Sequence, residues 1–272
     1  MKLSIVIPTI NRTGDLNQDR KINNALMECV VSLQETTDRD VEIIIVSNND
    51  DPKALPVEVN YNRIIRVNVW EQGQCRAVNA GVGVASGDWI MVTNDDMVYY
   101  PGWTKHLTEE YDCYSPMLIE PTDGAPTFKK VFYGGADGDF DRKGWLEYAA
   151  SHEGSGWRTG FNLPFVIRKE LFDLIGGYDV AYDPWGSNSD SDLEYKIKLA
   201  GVQPMQNTDW VVYHFSQTSG TFHPSKRKWW EENYKYFIDK WGFERVDSPE
   251  IWEASFEIPK DKLLYKPKWA KL

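Results

Sequence analysis

Two carboxylates, Asp95 and Asp96, follow Asn94 directly after the apolar run Trp89-Ile90-Met91-Val92-Thr93. A buried strand that ends in carboxylates places charge where a metal ion or a ligand must neutralise it, because an unpaired ion out of water is costly. In open α/β sheets, ligands gather beyond the carboxyl ends of the strands. A second polar loop, Ser47-Asn48-Asn49-Asp50-Asp51, follows the apolar Val41 to Val46 stretch in the same way. A third acidic cluster, Ser189-Asp190-Ser191-Asp192, opens an amphipathic run with Leu193, Ile197 and Ala200 on one face. Ser and Asp at a helix start are good caps, worth about 1 kcal/mol. Capping and a cleft-facing acid-base role are therefore both open for this cluster.

These clusters need a scaffold, and the apolar pattern supplies one. Residues 3–8, 41–46, 63–69 and 89–93 read as strands, and their unbroken apolar runs suit strands covered on both faces. Between them, Ile22, Leu26, Cys29, Val30 and Leu33 recur at helical spacing. Residues 73–85 form a second helix, with Gly87 as its expected C-cap. The order β-α-β-β-α-β implies an α/β fold with a doubly wound, mostly parallel sheet. Further on, strands are expected at 115–120, 161–168 and 210–214, and helices at 169–175, 190–200 and 228–241. The Gly- and Asp-rich stretch 134–160 reads as a loop or lid. One domain is expected over residues 1–245, with a nucleotide half at about 1–103, a second half at about 104–245, and a C-terminal arm at 246–272.

Composition narrows the partners. The net charge of -11 disfavours a nucleic-acid backbone, whose phosphates need Lys and Arg to displace their counterions. Three scattered cysteines, Cys29, Cys75 and Cys113, show no pairing pattern and point to buried thiols in a reducing, cytoplasmic compartment. No apolar stretch approaches the roughly 20 residues needed to span a bilayer. Peripheral contact with a membrane surface or an anionic acceptor stays open for the cluster Lys226-Arg227-Lys228-Trp229-Trp230 and for the lysine-rich stretch from Lys260 to Lys271. Nine of the twelve tryptophans lie after residue 140, as either core residues or stacking faces for sugar rings.

Taken in order, these segments resemble the family 2 glycosyltransferases of the GT-A (Rossmann-like) fold, over about residues 3 to 242. Ile5-Val6-Ile7-Pro8-Thr9-Ile10-Asn11-Arg12 is similar to the family's opening strand and donor loop. Glu42-Ile43-Ile44-Ile45-Val46-Ser47-Asn48-Asn49-Asp50 is similar to its second strand and base-binding loop. Gly73-Gln74-Cys75-Arg76-Ala77-Val78-Asn79-Ala80-Gly81 is similar to the helix before the acidic motif, and Asn94-Asp95-Asp96 stands where that motif, DxD, is found. Phe165 to Phe172, Gly176-Gly177-Tyr178-Asp179 and Ser189-Asp190-Ser191-Asp192-Leu193 match blocks of the acceptor side, where a small antiparallel element is expected. The chain departs from the pattern at Asn94, Ser47 and Ser189, each of which replaces an acidic residue.

The resemblance implies transfer of a sugar from a nucleotide-diphosphate donor to a hydroxyl acceptor, a glycan, a lipid-linked group or a small molecule, with inversion as the default. It implies a divalent cation held by Asp96 and His214. An imidazole ligand favours Mn²⁺ over Mg²⁺. Pro8, Thr9, Arg12, Asn48, Asp50, Arg76, Asn94 and Asp95 would line the donor. Asp190 would be the general base, with Asp192 as the fallback, and Trp157 and Trp185 would wall the acceptor. Two rival readings are a nucleotidyltransferase, which would attack phosphorus in a similar crevice, and a non-catalytic sugar- or nucleotide-binding derivative.

Overall fold

The computed structural model describes residues 1–9, 16–47, 64–68, 73–121, 129–216, 218, 224–246 and 256–271. Ten strands and six α-helices are described. They are β1 (Leu3–Thr9), α1 (Leu16–Thr36), β2 (Val41–Ser47), β3 (Ile64–Asn68), α2 (Gln74–Val84), β4 (Trp89–Val92), β5 (Met97–Val98) and β6 (Cys113–Glu120). The second half adds β7 (Lys129–Lys130), α3 (Arg142–Ser151), β8 (Trp157–Thr159), β9 (Phe165–Arg168), α4 (Lys169–Leu174), α5 (Ser189–Leu199), β10 (Met205–His214) and α6 (Arg227–Trp241).

One mixed sheet runs through the molecule in the order β3-β2-β1-β4-β9-β6-β10-β5, with β7 beside β6 and β8 beside β10. The first four strands are all parallel. β9 then enters antiparallel between β4 and β6, and β6 and β10 run parallel to each other. The antiparallel pairings of the second half of the chain therefore belong to the same sheet.

Alternate residues of each strand feed two apolar layers. On one face Ile5, Ile7, Ile43 and Ile45 meet Ala25, Leu26 and Cys29 of α1. On the other, Val6, Ile44 and Val46 meet Val78 and Val82 of α2. Every residue of β1 is buried, which is why its apolar run shows no alternation. The second layer continues through Leu193 and Ile197 of α5 to Phe237 and Trp241 of α6. Residues 256–271 lie along these helices, with Leu263 buried. Leu264 N–H donates to Trp241 O at 3.0 Å and Lys271 N–H to Leu199 O at 2.7 Å.

The expected loop at 134–160 contains α3 and β8. Helix α3 buries only Trp145 and Ala149 and is capped by Asp141, whose carboxylate accepts from Gly144 N–H, so it carries too short an apolar stripe to read from sequence. Strand β10 starts at Met205, earlier than its apolar run suggests, because the polar Gln206, Asn207 and Thr208 are buried in it. Gly87 is not a C-cap. Helix α2 ends on Ala85 in an extended conformation, and Gly87 is needed because a Cβ there would lie 2.7 Å from the Ser4 backbone nitrogen. The three cysteines are buried free thiols. No described helix is long and apolar enough to cross a membrane.

Candidate functional site

The acidic centre forms where three strand ends converge. Strand β4 delivers Asn94, Asp95 and Asp96 at its carboxyl end, beside the carboxyl end of β1. The short β5 then turns back and pairs antiparallel with the end of β10, in the register His214↔Met97. That pairing, together with the 3.0 Å bond from Phe215 N–H to Asp96 O, brings Asp96 against His214. The carboxyl end of β6 lies on the other side of β10 and supplies Glu120.

His214 sits between two carboxylates. Its Nδ1 is 2.5 Å from Glu120 Oε1, and its Nε2 is 3.2 Å from Asp96 Oδ1. The second contact is ionic in distance without hydrogen-bond geometry, so among the described residues the buried Asp96 Oδ1 has no hydrogen-bond donor. Asp96 Oδ2 accepts from the Thr218 hydroxyl. Burial works against charge on His214, but Asp96 and then Glu120 outweigh it and hold the imidazolium pKa up at about 10. Burial likewise opposes charge on Asp96, yet His214 and Thr218 hold its carboxyl below the usual range. Asp95 goes the other way: burial and the adjacent Asp96 push it up to about 7. Its Oδ2 accepts from Thr9 Oγ1 at 2.5 Å, so the hydroxyl at the end of β1 orients it. Asn94, half-buried, turns its carbonyl to the Cys29 thiol at 3.5 Å.

The second acidic cluster starts α5. Its N-cap is Asn188, with φ 65° and no side-chain capping bond, so neither Ser189 nor Asp190 caps the helix. The half-buried Asp190 carboxylate accepts from the Tyr178 hydroxyl at 2.8 Å. Burial pushes its pKa up to about 6 against that stabilising bond. A carboxylate poised near neutrality suits acid-base work.

Comparison with known proteins decides which kind of chain this is. A model of the family described as Glycosyl transferase family 2 matches residues 4–116. An uncharacterized glycosyltransferase of Bacillus subtilis strain 168, YwdF, is 36% identical over 231 residues, covering 79% of this chain and 75% of that protein. The chain belongs to glycosyltransferase family 2.

Solved structures place this family 2 glycosyltransferase among GT-A folds. GalNAc-T7 with UDP, GalNAc and Mn²⁺ matches with a TM-score of 0.63 at 17% identity, covering 91% of this chain and 49% of that one. The chain thus spans about half the length of that protein. The mannosyltransferase PcManGT from Pyrobaculum calidifontis, in complex with GDP-Man and Mn²⁺, matches with a TM-score of 0.55 at 15% identity, covering 88% and 64%. Both likenesses are of fold.

Within the family 2 fold, several sequence expectations change place. Asp192 lies in the core and does not face the acidic centre. It is fully buried and accepts from Trp241 Nε1 at 2.9 Å and the Tyr182 hydroxyl at 3.3 Å. Lys240 Nζ is 2.7 Å and Lys196 Nζ 3.6 Å from its carboxylate. Residues two apart on a helix point to different faces, so Asp190 and Asp192 cannot share a cleft. Trp157 pairs in β8 with Asn207 of β10, whereas His214 is the last residue of that strand. At 3.2–3.4 Å per residue the two sites are roughly 20 Å apart. Trp157 packs on Tyr111, with ring centroids 4.6 Å apart, away from the acidic centre. Trp145, Trp210 and Trp241 are also core residues, fully buried.

Trp185 stays near the start of α5, half-buried, with Lys226 Nζ 3.5 Å from its ring centroid. Arg76, in the first turn of α2, sends Nε to within 3.8 Å of Asp183 Oδ2. That same carboxylate accepts from the Cys75 and Arg76 N–H groups and so caps α2 from across the fold. Pro8 is buried in β1 opposite Val46. Arg12, Asn48 and Asp50 lie outside the described residues.

Glu120 was not among the expected site residues. The signal for it is the one that marks Asp95 and Asp96, a carboxylate closing a buried strand. Among the described residues no group of three or more His, Cys, Asp or Glu side chains is arranged to hold a metal ion. Asp96 and His214 nevertheless fit one as a pair. The buried Asp96 Oδ1 faces Nε2 of the half-buried His214 at 3.2 Å, and once Nε2 gives up its proton the two are an oxygen and nitrogen donor set suited to a first-row divalent cation.

Proposed function

We propose that this family 2 glycosyltransferase moves a hexose from a nucleoside-diphosphate sugar to a hydroxyl acceptor, with inversion and with a divalent cation, Mn²⁺ in preference to Mg²⁺. The observation that carries the reading is the convergence of Asp96 on His214 at the carboxyl ends of the strands, with Asp96 Oδ1 buried and 3.2 Å from His214 Nε2. The UDP, GDP-Man and Mn²⁺ bound by the solved fold neighbours support the choice of donor class and metal.

Asp96 Oδ1 and His214 Nε2 are the protein ligands in this reading. The cation supplies Lewis-acid stabilisation of the negative charge that develops on the departing diphosphate. Asp95, oriented by Thr9, and Asn94 line the donor beside them. Arg76 adds a cation at the start of α2. Asp190 holds the acceptor hydroxyl and takes its proton as that oxygen attacks the anomeric carbon. The bond from that carbon to the diphosphate oxygen breaks, and its electron pair leaves with the phosphate. Attack and departure on opposite faces of one carbon invert it. Trp185 and the turn before α5 flank the acceptor.

The test is a panel of UDP- and GDP-sugars incubated with Mn²⁺ and read for donor hydrolysis and for a new glycosidic bond. At least one donor is consumed, consumption stops with chelator, and Asp190→Asn retains donor binding while transfer falls by about 10²- to 10⁴-fold. A protein that binds donors and consumes none would instead be a binding derivative of the fold.

A further inference from the structure

We propose that Glu120 is a positioning residue for His214, fixing the imidazole so that Nε2 alone is presented to the cation site. The proposal rests on the reading of Asp96 and His214 as the metal ligands. It adds a third residue that touches neither substrate nor cation and acts through the ring.

The geometry assigns this role from three directions. First, β6 and β10 run parallel with Ile119 opposite Tyr213, so the next residues, Glu120 and His214, stand side by side at the edge of the crevice. Second, Glu120 Oε1 is 2.5 Å from His214 Nδ1, and the carboxylate is itself buried, with Glu120 only 6% exposed. A buried carboxylate at that distance takes the Nδ1 proton as its hydrogen-bond donor. That commits Nε2 to the opposite side of the ring, where Asp96 Oδ1 lies 3.2 Å away without a hydrogen bond. Third, Glu120 is anchored at its backbone, where its carbonyl accepts from Val131 N–H at 3.2 Å. A ring held from behind in this way loses the freedom to flip, and it is made a better electron donor by the adjacent anion. Partners of this kind behind a ligating histidine typically contribute 10- to 100-fold in metal affinity.

A carboxylate that merely packs the sheet edge would look similar in a static structure, so the test reads the ring itself. Mn²⁺ alone is titrated into the full chain and free Mn²⁺ is followed by electron paramagnetic resonance. Pulsed measurements on the saturated protein then report coupling to the imidazole nitrogen. Glu120→Ala is expected to weaken Mn²⁺ binding by roughly 10- to 100-fold and to diminish the nitrogen coupling, which His214→Ala removes. Glu120→Gln keeps an oxygen for the Nδ1 proton. It should retain the coupling and lose less than about tenfold, and it carries the test if the alanine variant does not fold. Unchanged affinity and coupling in Glu120→Ala, or a loss in Glu120→Gln as large as in Glu120→Ala, would overturn the proposal. If the parent protein binds Mn²⁺ and only the Glu120 effect is absent, this inference alone fails. If the folded parent binds no Mn²⁺, the metal reading fails and takes this inference with it.

Discussion

Asp190 draws its usefulness from a contest between burial, which raises its pKa to about 6, and the Tyr178 hydroxyl, which favours the charged form. A base must be deprotonated to accept the acceptor's proton. Transfer should therefore rise with pH through about 6 and level off above it. Tyr178→Phe removes a hydrogen bond that stabilises the anion, so the acid limb of the kcat/KM profile should move to higher pH, with activity recovered on the alkaline side. A profile that does not move would take Asp190 out of the base role. Asp96 was legible in the sequence as a carboxylate closing an apolar run, and His214 was suggested by the family resemblance; the sheet brings the two together because β5 turns back onto the end of β10. Asp192 was misplaced because two residues along a helix reverse the facing of a side chain, which adjacency in the sequence hides.

The elements behind these residues are fixed by close packing more than by propensity. Helix α2 lies so near the sheet that a Cβ at Gly81 would stand 2.5 Å from Val6 Cγ1 and 2.8 Å from Val46 Cγ2. Gly81→Ala should destabilise by about 1–3 kcal/mol, read as a lower midpoint in urea, even though alanine is the better helix former. Between α5 and α6, the buried Asp192 lies against the buried Lys196 and the half-buried Lys240. Asp192→Ala leaves two neighbouring ammonium groups with the half-exposed Asp179 as the carboxylate paired with Lys240 and the Gly177 carbonyl as acceptor for Lys196. Breaking a buried pair from one side costs about 3–5 kcal/mol, so Tm should fall by roughly 10 °C. A variant of unchanged Tm that loses only activity would return Asp192 to the cleft. Helix α1, with its wide apolar stripe, and α6, with aromatic residues at helical spacing, could be read from the sequence. The narrow α3, the two-residue β5 and the polar start of β10 could not, because each is held by tertiary partners.

The whole molecule is one sheet in two styles. Its parallel half announces itself through unbroken apolar runs. The mixed half inserts β9 from later in the chain between β4 and β6, an arrangement that local patterning does not encode. The C-terminal stretch had no periodicity to read, yet it lays Leu263 and Tyr265 against α6, with the Tyr265 ring 5.2 Å from that of Trp241. Removing residues 256–271 should expose Trp241, lower Tm and leave Mn²⁺ affinity unchanged, since the segment lies on α5 and α6, away from the strand ends that carry Asp96 and His214. The central claim is tested most directly by titrating UDP and GDP into the parent protein and into Asp96→Ala, by calorimetry, with and without Mn²⁺. The account predicts that one nucleotide binds the parent at least about tenfold more tightly with Mn²⁺, a gain of roughly 1.4 kcal/mol, and that Asp96→Ala abolishes this gain. An undiminished Mn²⁺-dependent gain in Asp96→Ala would contradict it.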